Sequence, residues 1–123
     1  MLLISVAACS APVKQASGLV IDRIIFLNKS GSALHNIEVH ASASKGLVNC
    51  GYIPVGRDCS VGFKARTVPA QAVTVEWEQG GQRWQAAPVI ARQNASDIDS
   101  PNTHTVIISF DEQNRVKVEI RAN

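Results

Sequence analysis

Residues 103–121 read THTVIISFDEQNRVKVEIR. In the second half Val116, Val118 and Ile120 alternate with Arg115, Lys117, Glu119 and Arg121, a period of two with one apolar and one charged side. Such a strand lays one side on a core and the other in water. In the first half Val106, Ile108 and Phe110 share a side, and the intervening Asp111-Glu112-Gln113-Asn114 is turn chemistry. The stretch predicts a β-hairpin.

The same period recurs upstream. Val73, Val75 and Trp77 alternate with Thr74, Glu76 and Glu78 before a Gly80-Gly81 turn that leads into Arg83-Trp84. Ile37 and Val39 alternate with Asn36, Glu38 and His40. VIDRIIFL at 20–27 is apolar on both sides apart from Asp22 and Arg23, as expected of a strand lying centrally in a sheet. No window sustains a period of 3.6. Short strands about ten residues apart, punctuated by Gly, Pro and Asn, predict an all-β antiparallel sandwich of about seven strands. Two passages, FLNKSGSALHNIEV at 26–39 and IPVGRDCSVGF at 53–63, resemble bacterial immunoglobulin-like or fibronectin-like domains. That resemblance implies an immunoglobulin-like β-sandwich over 19–123 and no catalytic residue.

Bulk composition narrows the classes further. The 123 residues suit one domain, and 46% apolar with 18% charged is a globular balance. The net charge is +2, and the basic residues are scattered singly from Lys14 to Arg121, which argues against a nucleic-acid partner. No apolar stretch reaches the ~20 residues of a spanning helix.

The chain opens with an apolar block, Leu2, Leu3, Ile4, Val6, Ala7 and Ala8, that meets Cys9. Val6-Ala7-Ala8-Cys9 resembles the lipobox of bacterial lipoproteins: an aliphatic residue, two small ones, then the cysteine that is acylated. The resemblance implies that residues 1–8 are the remnant of a signal peptide, that Cys9 carries the lipid, and that Ser10 directs the protein to the periplasmic face of the outer membrane. The block lacks the basic residues that precede it in a complete signal, so the signal is read as truncated. An edge strand or an ordinary terminus that contains VAAC is the alternative. Residues 9–18, with the polar SAPVKQASG, read as a lipidated cysteine and a flexible tether.

The other cysteines are Cys50 and Cys59, in NCGYIPVGRDCS. A hairpin turning about Pro54-Val55 sets residue 50 opposite 59, 52 opposite 57 and 53 opposite 56, with both thiols on the apolar side. In an oxidising compartment they close a structural disulfide; otherwise they are free core thiols. The spacing suits neither a redox pair nor a zinc site.

Catalytic and cofactor signatures are missing: there is no GxSxG, HExxH, GxxxxGK[ST] or GxGxxG. His35 and His40, five apart, are expected on opposite faces of one strand, and His104 opens another; all three read as solvated or strand-end residues rather than metal ligands. Asp97, Asp99 and Asn102 begin like a calcium loop, but Pro101 interrupts it and no glutamate completes it. Trp77 and Trp84 flank the Gly-Gly turn and are either core packing or a flat surface for a sugar or peptide. The expectation is thus a non-enzymatic, lipid-anchored envelope domain, with no cofactor, that binds or scaffolds an envelope protein. It would use the loops at 31–35 and 94–102 or the turn between Cys50 and Cys59. A carbohydrate or small-molecule module using the tryptophans, and an envelope enzyme with a dispersed site, are the alternatives.

Overall fold

The computed structural model describes residues 19–41, 44–68, 71–90 and 103–123. Cys9, the tether at 10–18 and the loop at 94–102 lie outside the described residues. The strands are β1 (Leu19–Asn28), β2 (Leu34–Ala41), β3 (Ser44–Ile53), β4 (Asp58–Val68), β5 (Gln71–Gln79), β6 (Gln82–Ala86), the two-residue β7 (Val89–Ile90), β8 (His104–Phe110) and β9 (Val116–Ala122). They form two sheets, β4-β1-β8-β9 and β3-β2-β5-β6, with β7 paired to β5. This is an all-β, immunoglobulin-like sandwich in its two-layer architecture. It has eight strands of five residues or more among the described residues, one beyond the seven expected. One pair departs from the antiparallel expectation: β1 and β8 run parallel, Ile24 beside Val106 and Phe26 beside Ile108.

Alternation places the core. Ile24 and Phe26 of β1 face Val106, Ile108 and Phe110 of β8, and Leu34, Ile37, Val39, Val73, Val75 and Trp77 meet them from the second sheet, all 0–1% exposed. The hairpin at the C-terminus pairs Val106 with Ile120, Ile108 with Val118 and Phe110 with Val116, as the alternating pattern predicts. β1 is central, and its outer side carries the half-buried Ile25 and Leu27 next to the buried Ile107. Asp22-Arg23 forms a bulge, so Ile21 and Ile24 point inward although three residues apart. The Gly80-Gly81 turn has φ of 62° and 78°, which is the two-residue mirror-image turn that joins twisted antiparallel strands.

Cys50 and Cys59 are bridged, with Cα atoms 6.7 Å apart, but the hairpin proposed around them is not formed. β3 pairs with β2 and β4 pairs with β1, so the bond staples one sheet to the other. The cause is backbone competition at Asn28: its N–H donates to the carbonyl of Arg57 (3.0 Å), and the N–H of Gly56 donates to its carbonyl (2.9 Å). β1 thereby captures the chain as it leaves β3. The turn also sits one residue later than expected, Arg57 N–H donating to Pro54 (3.1 Å), with Gly56 at its third position and φ of 76°.

Asn28 itself is 1% exposed. Its Nδ2 donates to the carbonyls of Ser32 (2.9 Å) and Ile53 (3.0 Å), and its Oδ1 accepts from the Ser30 N–H (3.0 Å) and hydroxyl. Gln79 Nε2 donates to Ser30 Oγ (2.8 Å), and Trp77 Nε1 donates to Gln79 Oε1 (3.3 Å). The network ties β1, the β1–β2 loop, the β3–β4 corner and β5 together. Replacing Asn28→Ala takes the side-chain partner from the buried Ile53 carbonyl and from the Ser30 N–H, while the Ser32 carbonyl keeps Ser30 Oγ and Gln79 Nε2. It should lower unfolding stability by about 1–3 kcal/mol, seen as a lower urea midpoint.

Candidate functional site

Every described turn of the two sheets falls at one end of the sandwich: the β1–β2 loop, the β3–β4 corner, the β5–β6 turn and the β8–β9 turn. The β8–β9 turn is held by Asp111, whose carboxylate accepts from the backbone N–H groups of Arg115 (2.9 Å) and Gln113 (2.8 Å). Between three of these turns lies a shallow open cleft of about 410 Å³, lined by Ser32, Gly80, Gln82, Trp84, Glu112 and Asn114 among others.

The two tryptophans part company here. They are cross-strand partners, stacked with ring planes 13° apart and centroids 6.5 Å apart. Trp77 is 1% exposed and packs edge-on against Phe110 at 4.9 Å, so it closes the core and cannot offer a face to a ligand. That corrects the reading of a paired surface. β5 is an interior strand whose inward side includes Trp77, whereas β6 is an edge and leaves Trp84 half-buried on the cleft wall. Trp84 Nε1 donates to the carbonyl of Gln79 (3.2 Å), which orients the ring.

The corner between β3 and β4 carries the exposed large apolar residues of the described chain, Tyr52 (56%) and Val55 (53%). His35 lies against Tyr52, ring centroids 4.9 Å apart. Two of the three binding loops expected from the sequence are therefore neighbours, and the bridge at Cys50 and Cys59 braces them from beneath.

The histidines are placed differently from expectation. Asn36 adopts φ of 48° and β2 bulges there against β5, so His35 and His40 both lie on the solvent side while Leu34, Ile37 and Val39 are buried. A strict period of two cannot anticipate that shift. His104 is not solvated: it is 1% exposed, Nδ1 lies 3.3 Å from the carbonyl of Val20, and Nε2 has no partner among the described residues.

The bulge also gathers charge on the outer face of the second sheet. Glu38 and Glu76 are direct cross-strand partners, and His40 Nε2 lies 3.1 Å from Glu38 Oε1. Arg83 reaches across from β6 to Glu76 (3.0 Å), Glu38 (3.5 Å) and Glu78 (3.5 Å). One imidazole nitrogen and two carboxylates, from Glu38, His40 and Glu76, lie within 4.8 Å of one another. This group was not evident in the sequence. Its signal was present in Glu38-x-His40, two same-side residues of one strand, but its third member is 36 positions away and only the β2–β5 register joins it.

Two outcomes follow. Trp77→Ala should cost about 3–5 kcal/mol, as for a fully buried aromatic, and Trp84→Ala clearly less, both read from urea unfolding. The two backbone donors, Arg115 N–H foremost, hold the Asp111 carboxyl below its ordinary value of 3.8. A carboxyl lowered on folding adds stability above its unfolded value, and that contribution fades as pH falls through the lowered one. A side-chain NMR titration should therefore place its midpoint under 3.8.

No family model matches the chain, and no curated protein matches it. Among solved structures the fold is similar to a protein from Eubacterium rectale determined by NMR, with a TM-score of 0.50 and 14% identity over 83% of this chain and 89% of that one. At that identity the likeness concerns the fold, a two-sheet all-β sandwich, and nothing beyond it.

Proposed function

We propose that the chain is a non-enzymatic, lipid-anchored domain of the bacterial cell envelope that binds or scaffolds another envelope component through the loop end of its sandwich. The observation that carries this reading is the braced corner, where a disulfide between the sheets holds Tyr52 and Val55 out in water. Large apolar side chains on a rigid support lose little freedom on docking, so most of their burial appears as affinity.

The anchor fits the same geometry. Acyl chains on Cys9 would contribute about 0.8 kcal/mol per buried methylene, and two or more chains hold firmly. The chain enters β1 at Leu19 and runs to Asn28 at the loop end, so a tether joined at Leu19 leaves the loops roughly 30 Å farther from the membrane. A bridged cysteine pair is also the form expected of the oxidising periplasm.

The cleft beside Trp84 favours a second reading. An indole flanked by amide, hydroxyl and carboxylate groups suits a sugar or another small polar ligand.

A photo-crosslinking residue at position 52 or 55 of the full chain, expressed in its host, should capture an envelope protein. The same residue in place of Lys64, on the outer side of β4, should not. Equal capture at all three positions, or none, would refute docking by the corner. Mass spectrometry of the membrane-extracted protein should find acylated Cys9 at the N-terminus; an unmodified Cys9 behind an intact Met1 removes the anchor. For the second reading, a sugar panel should quench fluorescence in the wild type and leave Trp84→Ala unchanged.

A further inference from the structure

We infer that the outer face of the β3-β2-β5-β6 sheet is a binding site for a divalent transition-metal ion, held by Glu38, His40 and Glu76. The inference is independent of the envelope reading and uses a different face of the molecule.

Strand geometry supplies the ligands. Glu38 and His40 are two apart on β2 and project from the same side; Glu76 stands opposite Glu38 on β5. Three donors are thus fixed by backbone register on two interior, hydrogen-bonded strands, the sort of support that keeps a site in shape. Their donor atoms lie within 4.8 Å of one another. Tetrahedral bonds to zinc at about 2.0–2.2 Å put neighbouring donors roughly 3.4 Å apart, so side-chain rotation alone closes the set.

The charge balance at this face asks for a cation. Carboxylates directly opposed across a strand pair repel. Glu38, Glu76 and Glu78 together face a single guanidinium, Arg83, among the described members of the cluster. Arg83 spreads over all three and also donates to the carbonyl of Asn36 (3.2 Å). It lies on the edge strand β6 with its side chain 38% exposed, free to retreat toward Glu78 and Asn36 while a metal takes Glu38 and Glu76. Arg83 is therefore a competitor for the site, not part of it.

The donor set selects the metal. One imidazole with two carboxylates suits zinc and its first-row neighbours, whereas calcium and magnesium favour all-oxygen shells. Three protein ligands leave a fourth position open to solvent, for water or for a donor from another molecule.

The test is zinc titration by calorimetry of the full chain carrying Cys9→Ser, which removes the thiol outside the bridge. Saturable binding of one zinc ion per chain is expected, with magnesium and calcium far weaker. His40→Gln and Glu76→Gln should each weaken binding about tenfold or more. Arg83→Gln should tighten it several-fold, an effect that a merely structural charge cluster has no reason to produce. His35→Gln, on the same face beside Tyr52, should leave it unchanged. Circular dichroism of each variant confirms that the sandwich is intact. No saturable binding, binding indifferent to His40 and Glu76, or loss of affinity in Arg83→Gln overturns the site.

Discussion

The structure hangs on a buried amide. Asn28 ends the central strand of one sheet and lies where the chain must cross to the other, in a place no water reaches. Backbone groups at such a crossing cannot all find ladder partners, and an unpaired buried one costs about as much as a lost hydrogen bond. Asn28 resolves this with both faces of its side chain and both of its backbone groups. It holds the Ser30 turn that starts the second sheet, the Ile53 carbonyl where β3 ends, and Gly56 and Arg57 where β4 begins. A leucine of similar size would fill the space and keep the backbone bonds to Gly56 and Arg57, but it would satisfy neither the Ser30 turn nor the Ile53 carbonyl. The disulfide lies a few residues away and secures the same crossing covalently, so the corner that presents Tyr52 and Val55 is braced twice.

What the sequence revealed and what it withheld divide along one line: local alternation was readable, long-range partnership was not. The β8–β9 hairpin, the Gly-Gly turn and the central place of β1 follow from periodicity and turn chemistry within a few residues. The nearness of Cys50 and Cys59 was readable as well. Their assignment to different sheets was not, because β4 is claimed by β1, whose paired residues lie about thirty to fifty positions earlier. Nothing in NCGYIPVGRDCS itself marks that rivalry. The bulge at Asn36 is a further case. Asn tolerates positive φ better than most residues, so the sequence permitted the bulge without announcing it, and with it moved the histidines to a common face.

The site features sort in the same manner. Trp77 and Trp84 are equivalent as text, and only the sheet order makes one interior and the other a cleft wall. Glu38, His40 and Glu76 meet because β2 and β5 are neighbours. The two faces serve different chemistry: the loop end offers apolar and aromatic contact on a rigid corner, and the outer sheet face offers a fixed set of nitrogen and oxygen donors.

The parallel pairing of β1 with β8 has a bearing on how the molecule is made. The first strand cannot complete its sheet until a segment some eighty residues downstream has been delivered, since β8 is the only partner on that edge. Contacts so distant in the chain raise the entropic cost of the folding nucleus and slow its formation. A polypeptide emerging amino end first therefore leaves this edge of β1 unpaired until β8 has been made.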